Sequence, residues 1–250
     1  MTARARAEDT FAAFQVGAND YVTKPVDSWE LKARVKALID LKLSAKNQLR
    51  MEGAWLQSQI QPHFIFNTLN SIASLGMIDV DKMQVLLEEF SNYLRKSFDF
   101  NNAEPLIPLE HELSFVNSYL YIEQIRFGSR LSIEWEIDAN MSTVIPPLSI
   151  QPLVENAIKH GILRLPKGGA LQIRVKEGQD GTEVMVTDNG VGMSKEQINN
   201  LFQPTSKPIN KGSGVGLQNV NRRLRQLYGM GLVIKSTANE GTTVSFYIPK

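Results

Sequence analysis

Apolar residues recur at helical spacing through the first half of the chain, which predicts a run of helices. From Ser28, a favourable N-cap residue, helical composition continues through Leu43 and on towards Ile72. A helical pattern of this length suggests a coiled-coil or bundle element. Two more helices are predicted over residues 79–98 and 108–128. Neither carries an obvious chemical motif, so we interpret both as packing helices.

The pattern changes at Leu131, where apolar residues begin to occupy every second position of the run LSIEWEI. Alternation of this kind predicts a half-buried strand. More strand-like runs and helical patterns follow, and their mixture predicts an α/β sandwich in which helices cover one face of a sheet. The strand-like runs are 171–175, 183–188, 232–237 and 243–248, and the helical patterns are 149–163, 194–202 and 216–228.

Composition excludes several classes of protein and site. The 27 Lys and Arg residues nearly balance the 26 Asp and Glu residues, and a net charge of +1 argues against a nucleic-acid binder. The chain has no cysteine, which excludes disulfides and thiolate zinc sites. Its three histidines (His63, His111 and His160) are too few to suggest a histidine-rich metal site. No apolar run approaches the ~20 residues that span a bilayer, and no signal peptide is visible, so we expect a cytoplasmic piece.

The run IQPLVENAIKHGI is the first of three motifs that suggest chemistry. On a helix its apolar residues gather on one face, while Glu155, Asn156 and Lys159 fall on the other. His160 lies near the edge of that polar face. An ordinary surface helix explains this arrangement, but a carboxylate beside an amide oxygen also has the chemistry that holds Mg²⁺ with substrate phosphates. The apolar residues are Ile150, Leu153, Val154, Ala157 and Ile158.

Two glycine-rich motifs follow. In DNGVGM, Asp188 offers a fixed acceptor after a predicted strand, and the glycines permit close backbone approach to a ligand. An ordinary turn explains the same residues, because Asn-Gly is a strong turn signal. In KGSGVGLQNVNRRL, an amide-rich loop runs into a helix, which suggests either a phosphate site or a mobile linker. It is neither a P-loop nor a convincing dinucleotide fingerprint. The glycines are Gly190 and Gly192 in the first motif and Gly212, Gly214 and Gly216 in the second.

The ordered set VENAIKHG, DNGVGM and GSGVGL resembles the N-box and glycine boxes of the GHKL ATP-binding fold, over about 146–250. The resemblance implies an α+β chain whose second part is a Bergerat-type sandwich with a mixed sheet. It implies that Asn156 coordinates Mg²⁺, that Glu155 lies beside the phosphates of ATP and that Asp188 accepts from the adenine amine. Residues 193–213 would be a lid, because a long polar loop in a compact domain is usually functional. The other implied ATP-binding residues are Lys159, His160, Gly190, Gly192, Gly212, Gly214, Gly216 and Leu217.

The stretch QIQPHFIFNTLNSI, residues 59–72, contains a proline inside a helical pattern, where it costs ~3 kcal/mol. We expect Pro62 to bend the helix and to open its backbone beside His63. His63 and Asn67 lie four residues apart, together on the side nearly opposite a predicted core stripe. A surface histidine beside an incidental kink explains the stretch equally. The predicted stripe consists of Ile65, Leu69 and Ile72.

This stretch resembles the phosphoacceptor box of the LytS/YehU-type sensor histidine kinases, and YLYIEQIRFGSRL resembles the sequence before their ATP domain. The resemblance implies that His63 is phosphorylated. A histidine of unperturbed pKa ~6.5 is mostly neutral at pH 7 and already carries a nucleophilic lone pair. Phe64 stands where the larger histidine-kinase groups carry an acidic residue, and the LytS type also lacks an acidic residue there. The identity of the general base is therefore left open. Glu155 is the first candidate and Asn67 the second.

Residues 1–43 resemble the last third of a response-regulator receiver domain. The resemblance implies that Thr2 is the switch hydroxyl, that Lys24 meets an aspartyl phosphate and that Pro25 follows a cis bond. The chain is therefore expected to be part of a longer hybrid kinase. The predicted domains are the receiver remnant, 1–43, a helical dimerisation and phosphoacceptor region, 44–128, and an ATP-binding catalytic domain, 129–250.

Together the resemblances imply a two-component protein-histidine kinase. ATP with Mg²⁺ would phosphorylate His63, and the phosphoryl group would pass to an aspartate of a response regulator, mostly through positioning and charge neutralisation. Helices within 44–99 would pair across a two-fold axis into a homodimer with a four-helix core. Two alternatives stay open, a GHKL ATPase that works as a nucleotide-driven switch and a scaffold that binds ATP without catalysis. An upstream sensor or membrane module in a parent protein also stays open.

Overall fold

The structure, a computed structural model, describes residues 27–29, 31–33, 35–36, 62–99, 106–140, 143–201 and 215–250. The chain divides into two compact units, Met1–Gln59 and Ile60–Lys250. Thr2, Lys24 and Pro25 lie outside the described residues, so the likeness to a receiver domain stays a prediction. None of the helices in the described ranges is both long and apolar enough to cross a membrane.

The described residues of the first unit belong to a helix that follows Asp27. Trp29 N donates to Asp27 Oδ1 over 2.7 Å, and Leu31 N donates to Asp27 O over 3.0 Å. A side-chain oxygen that accepts from the second helical N–H is an N-cap. The prediction that Ser28 caps this helix is therefore wrong by one residue, because the neighbouring aspartate is an equally good cap and takes the position.

Three long helices open the second unit, and α1 contacts both of the others. The described part of α1 begins at Pro62, so the predicted bend concerns residues outside the described ranges. α3 also contacts elements of the sheet half of the unit, and the predicted domain boundaries stay predictions. The helices are α1 (Pro62–Leu75), α2 (Val80–Asp99) and α3 (Leu109–Phe127).

Aromatic rings fill the space between these helices. Phe64 on α1 lies 5.0 Å from Tyr93 on α2 and 5.3 Å from Tyr119 on α3, measured between ring centroids. Tyr93 also stacks on Phe115 of α3 at 4.8 Å. All four side chains are buried, and we call them the aromatic cluster. Offset and tilted ring pairs at these distances add to the stabilisation from burial.

α1 buries a different face from the predicted one. Phe64 and Thr68 are buried, and Thr68 Oγ1 donates to Phe64 O over 2.8 Å. By contrast, Leu69 is 46% exposed, whereas Ile65 and Ile72 are partly buried. The predicted stripe of Ile65, Leu69 and Ile72 is therefore wrong at Leu69, and the buried face is centred about one residue further around the helix. The reason is that α1 faces the other helices with Phe64, which buries more apolar area than a leucine.

The second half of the unit is built on a five-stranded sheet in the order β2-β4-β5-β7-β6. β2 and β4 run parallel, and the other neighbours are antiparallel, so the predicted mixed sheet of an α+β fold is confirmed. β1 and β3 form a separate two-stranded pair. The strands are β1 (Ile107–Pro108), β2 (Leu131–Asp138), β3 (Val144–Ile145), β4 (Gly169–Glu177), β5 (Gly181–Asp188), β6 (Val233–Thr237) and β7 (Gly241–Pro249).

The predicted helix over 149–163 is present but changes its winding twice. α4 gives way to a π-helix over Ala157–Gly161 and then to a 3₁₀ turn over Ile162–Arg164. All five residues predicted for its apolar face are buried, as are Ile173 and Val184 of the sheet. Single π turns within helices occur often at functional sites. The remaining helices are α4 (Gln151–Asn156), α5 (Lys195–Leu201) and α6 (Val215–Tyr228).

Candidate active site

The partly exposed side of α4 presents a carboxylate and an amide. Glu155 Oε2 lies 2.9 Å from Lys159 Nζ, and Glu155 Oε1 accepts from Gln151 Nε2 over 3.2 Å. Asn156 Nδ2 donates to Pro152 O over 2.6 Å. Because that bond occupies the amide nitrogen, Oδ1 is the side-chain atom that Asn156 can offer to a cation. An oxygen ligand beside a carboxylate has the donor chemistry that Mg²⁺ takes.

Asp188 ends β5 and is almost completely buried. Its carboxylate accepts from Gly190 N over 2.8 Å and from the backbone N–H of Thr242. Burial raises the pKa of Asp188 to about 6, although those two hydrogen bonds act in the opposite direction. Asp188 is therefore a fixed hydrogen-bond acceptor whose charge changes not far below neutral pH.

Close backbone packing accounts for the glycines near Asp188. A Cβ on Gly161 would collide with the Asp188 carboxylate, and a Cβ on Gly190 would collide with the backbone of Gly161. Gly192 has a φ of 63°, and a Cβ there would collide with Thr237 O. These contacts bring Asp188 against the end of the π-helix, so the first two motifs meet in space.

The third motif is described only at its end. Gly212 and Gly214 lie outside the described residues. A Cβ on Gly216 would lie 3.3 Å from Pro152 Cβ, so Gly216 lets α6 approach α4 closely. Leu217 is buried in the core. The third motif thus lies next to the first, and its phosphate-binding role stays a prediction.

His160 lies at the surface on the π-helix that follows α4. Partial burial of its ring lowers the pKa of His160, and the positive charges of Arg164 and Lys159 lower it further. A histidine with a lowered pKa is neutral at pH 7, so His160 has a lone pair available near the first motif.

His63 lies on the exposed side of α1, with Asn67 one turn further along. Asn67 Nδ2 lies 3.0 Å from His63 Nδ1 and 3.2 Å from His63 Nε2. The amide can donate only to a ring nitrogen that carries no proton. The contact therefore restricts the orientation of the His63 ring. Of the two candidates for a base or orienting group, the structure brings Asn67 to the His63 ring.

Glu155 lies beside the aromatic cluster. Burial raises the pKa of Tyr93, and the negative charges of Glu155 and Glu123 raise it further. Burial also raises the pKa of Tyr119, again with contributions from Glu123 and Glu155. The α1 member of this cluster, Phe64, directly follows the exposed histidine. The charge of Glu155 on α4 therefore acts on two rings of the cluster that also contains Phe64 of α1.

The sequence reasoning missed a buried carboxylate on α3. Glu112 is fully buried and accepts from Leu148 N over 2.7 Å. Its other oxygen accepts from Ile150 N over 2.9 Å and from Gln151 N over 3.2 Å. Burial raises the pKa of Glu112, while these N–H groups and the charge of Arg223 lower it. A signal existed, because Glu112 interrupts the apolar side of its helix, and a buried acid needs hydrogen-bond partners.

A second missed acid, Glu123, lies in the run that precedes the sheet. Glu123 is buried and forms an ion pair with Arg126, whose Nη1 lies 2.8 Å from Oε1. Burial raises the pKa of Glu123, and the charges of Arg126 and then Lys159 lower it. The pair therefore lies close to the lysine that binds Glu155.

The chain matches two family models in succession. The model described as "Histidine kinase" matches residues 51–131, which include α1 to α3. The model described as "Histidine kinase-, DNA gyrase B-, and HSP90-like ATPase" matches residues 148–250, which include the first two motifs and α6.

Several proteins are similar along most of this chain. Protein YwpD of Bacillus subtilis (strain 168) is 43% identical over 249 residues, which cover 99% of this chain and 88% of YwpD. Sensor histidine kinase YpdA of Escherichia coli (strain K12) is 39% identical, over 84% of this chain and 37% of YpdA. Sensor protein LytS of Bacillus anthracis is 37% identical, over 78% of this chain and 33% of LytS. The chain thus spans most of YwpD and about a third of the two sensor proteins.

Two solved structures are also similar. The catalytic domain of histidine kinase ThkA is 22% identical, with a TM-score of 0.46, over 58% of this chain and 94% of that domain. The histidine kinase domain from the Erythrobacter litoralis EL346 blue-light activated histidine kinase is 17% identical, with a TM-score of 0.45, over 82% of this chain and 94% of that domain.

Proposed function

The chain belongs to the LytS/YehU-type sensor histidine kinases, a family of ATP-dependent two-component kinases with a GHKL domain, and we propose that it phosphorylates its own His63. The phosphoryl group then passes to an aspartate of a response regulator. The observation that carries the proposal is the exposed His63 ring held by Asn67, within the segment that the histidine kinase model matches. The ATPase match over 148–250 supports ATP as the phosphoryl donor, and the histidine kinase match over 51–131 does not favour an ATPase that lacks phosphohistidine.

The residues around Asp188 and α4 fit ATP. The Asp188 carboxylate, fixed by Gly190 N, would accept from the adenine amine, and Asn156, whose Nδ2 is occupied by Pro152 O, would offer Oδ1 to Mg²⁺ beside the phosphates. Among the described residues, no three His, Cys, Asp or Glu side chains gather into a metal site. Mg²⁺ is commonly bound by one or two protein oxygens together with substrate phosphates, which is the arrangement that Asn156 would take part in. Bound Mg²⁺ neutralises phosphate charge. Lys159, His160, Gly190, Gly192 and Gly216 would line the phosphate side of the same site.

Transfer forms one bond and breaks one. The lone pair of a His63 ring nitrogen forms the N–P bond while the bond to the β-phosphate oxygen breaks and ADP leaves with that electron pair. The proton on the other ring nitrogen is then released. Asn67 orients the ring and gives up its donation to the attacking nitrogen. Because Asn67 contacts the ring, we propose it as the orienting residue. We propose Glu155 as the base, and its ion pair with Lys159 has to open before the carboxylate takes the proton.

Exposed apolar side chains on α1, α2 and the turn between them support the proposed homodimer. A cluster of such residues at the surface often marks an interface between proteins. A second copy of the pair would cover them in a four-helix arrangement. The exposed apolar residues are Phe66 and Leu69 of α1, Met77 and Ile78 of the turn, and Val80, Val85 and Leu87 of α2.

The stability of the label tests the proposed function. Incubation with Mg²⁺ and ATP that carries ³²P at the γ-position is expected to leave label on the chain. Phosphohistidine is acid-labile and base-stable, so the label should survive alkali and be lost in acid. Release of free phosphate with no label on the chain would support the GHKL ATPase instead, and label that survives acid would contradict a phosphohistidine.

The pKa of Asp188 predicts how ATP affinity depends on pH. The adenine amine needs the carboxylate as acceptor, and the carboxyl becomes protonated below a pH of about 6. We expect the Kd for ATP to rise by up to about tenfold for each pH unit below that value. Titration calorimetry between pH 5 and pH 8 measures the change. Asp188→Asn serves as the control, since its weaker affinity should lack this slope, and an equal slope in both proteins would contradict the assignment.

The stability of the nucleotide-free chain should change in the opposite direction. Burial raises the pKa of Asp188 above its ordinary value of 3.8. A carboxyl of this kind contributes stability that is fully present below its unfolded pKa and is lost as the pH rises through about 6. Relative to Asp188→Asn, the wild-type chain should therefore gain unfolding free energy between pH 7 and pH 5 while it loses affinity for ATP.

Gly161→Ala should weaken ATP binding by displacing Asp188. The new Cβ would collide with the Asp188 carboxylate. Overpacking of this kind costs ~1–3 kcal/mol, so we expect the Kd for ATP to rise by about tenfold or more. Gly178→Ala is the matched control, because its Cβ would meet Gly181 O at 3.4 Å, an ordinary contact. A folded Gly161→Ala chain with wild-type affinity would show that Asp188 does not contact the nucleotide.

A further inference from the structure

The backbone N–H and C=O of Leu148, which belong to successive peptide groups, are each hydrogen-bonded to a charged side chain. Leu148 N donates to Glu112 Oε2 over 2.7 Å. Leu148 O accepts from Arg223 Nη2 over 3.0 Å. Glu112 belongs to α3 and Arg223 to α6, so the two grips come from helices far apart in the sequence. We call Glu112, Leu148 and Arg223 the Leu148 clamp.

The clamped residue has a strained backbone. Leu148 has a φ of 56°, in the left-handed region that side chains with a Cβ disfavour. Among the described non-glycine residues only Asn239 shares a positive φ, and asparagine tolerates it better than leucine. Such conformations persist only where the surroundings impose them, and they cluster at functional sites. The hydrogen bonds from Leu148 N to Glu112 and from Arg223 to Leu148 O are the contacts that can hold Leu148 in this conformation.

The same carboxylate also holds the start of α4. Glu112 Oε1 accepts from Ile150 N over 2.9 Å and from Gln151 N over 3.2 Å. Those N–H groups lie at the beginning of the helix that ends with Glu155 and Asn156. A shift of the carboxylate or of Leu148 therefore moves the start of the helix that carries the Mg²⁺ ligand.

Arg223 connects the clamp to the helix that follows the predicted lid. Its Nε is buried and has no hydrogen-bond partner within the described part of the chain. Arg223 is also close enough to Glu112 for its charge to lower the pKa of that carboxyl. The guanidinium is therefore held by one bond to Leu148 O and by the attraction of Glu112. A displacement of α6 would change the hold on Leu148 directly.

We propose that Glu112 and Arg223 are positioning residues for phosphoryl transfer. They act through Leu148 to fix α4 and its Asn156, so that the position of α6 determines the position of α4. The proposal rests on the proposed kinase function. It differs from a packing role because it requires charge and hydrogen bonding at Glu112 rather than shape. It also makes α3, which packs on the helix of His63, the common support of the histidine and the nucleotide site.

Glu112→Gln tests the charge requirement in the full chain. Glutamine keeps the shape but places an N–H donor where an oxygen now accepts, so one of the N–H groups of 148–151 loses its partner. We expect the labelling rate at saturating ATP to fall by about tenfold or more, with the Kd for ATP changed by less than about threefold. Glu110→Gln, at an exposed position of the same helix, should behave as wild type. A wild-type rate in Glu112→Gln would overturn the proposal.

A double-mutant comparison tests whether the two grips act as one unit. Arg223→Lys loses the planar donor group and should lower the rate in the same way, whereas Arg222→Lys, at an exposed position, should not. If both residues act through Leu148, the variant Glu112→Gln with Arg223→Lys should be little slower than the slower single variant. Rate losses that simply multiply would overturn the shared clamp.

Rescue at Leu148 separates positioning from general destabilisation. Glycine adopts a φ near 56° without help, so Leu148→Gly should restore much of the rate in the Glu112→Gln background. Leu148→Ala removes nearly the same packing but keeps the strain, so it should restore nothing. Equal behaviour of the two substitutions would overturn the proposal.

Hydrogen exchange of the amides of 148–156 gives a readout that does not need kinase activity. Glu112→Gln should speed their exchange by about tenfold, and Leu148→Gly should reverse part of that change. Unchanged exchange would overturn the clamp even if the wild type labels His63. A wild type that never labels would refute the proposed function, and faster exchange in Glu112→Gln would still support the clamp.

Discussion

His63→Gln should reduce labelling of the chain to background while its fold and its affinity for ATP stay unchanged. The side chain lies on the exposed side of α1, whereas Phe64 and Thr68 make the buried contacts of that helix. Glutamine is a good helix former, so the helix itself should lose little stability. The amide has no nucleophilic lone pair, so no N–P bond can form. Autoradiography after incubation with labelled ATP measures the loss, and calorimetry measures the affinity.

The other histidines provide the comparison for this substitution. His111→Gln, at an exposed position of α3, should label as the wild type does. His160 is the competing acceptor, because its ring has a lowered pKa and lies near the proposed phosphates. His160→Gln should still carry base-stable label. If His63→Gln labels and His160→Gln does not, the assignment of the phosphoacceptor is wrong.

Asn156→Ala should remove most Mg²⁺-dependent phosphoryl transfer. The substitution deletes the oxygen that Asn156 can offer to the cation, while the nitrogen that it deletes only bonds Pro152 O within the helix. Loss of one charge-stabilising group of this kind lowers a rate by about 100-fold or more. Labelling rates over a Mg²⁺ titration measure the effect, and Asn117→Ala on α3 is an exposed asparagine for control. Wild-type labelling rates of Asn156→Ala at limiting Mg²⁺ would show that Asn156 does not bind the metal ion.

A mixed dimer of these two variants reports the route of transfer. One chain carries His63→Gln with an intact nucleotide site, and the other carries Asn156→Ala with an intact His63. Label on the chain that retains His63 means that transfer crosses the dimer. Absence of label, when each variant still forms the mixed dimer, means that transfer stays within one protomer.

Local periodicity predicted those parts of the site that a single helix or strand determines. The apolar face of α4 follows from the spacing of Ile150, Val154 and Ala157, and all three are buried. Asp188 at the end of β5 follows from a strand pattern that stops at a turn. These features depend on neighbours within a few residues, so one sequence contains the information.

Features that depend on distant partners could not be predicted in this way. Helical periodicity places Glu112 on the apolar side of its helix but does not identify its partners, because Leu148 lies 36 residues away along the chain. The apolar stripe on α1 was misplaced for the same reason. Phe64 is buried because it packs on Tyr93 and Tyr119, which belong to other helices. The requirement for glycine at Gly161 likewise appears only when the Asp188 carboxylate is placed beside it.

The bonds of Glu112 define which segment can be exchanged as a module between related kinases. A chimera joined after α3 would take the residue at position 112 from one parent and the backbone N–H groups of 148–151, which bond to it, from the other. If an apolar residue replaced Glu112, three N–H groups of 148–151 would lose their acceptor, and those of Ile150 and Gln151 are buried. Each such loss costs ~1–3 kcal/mol. A segment exchanged between kinases should therefore begin before Leu109, so that α3 and the sheet that it supports come from the same parent.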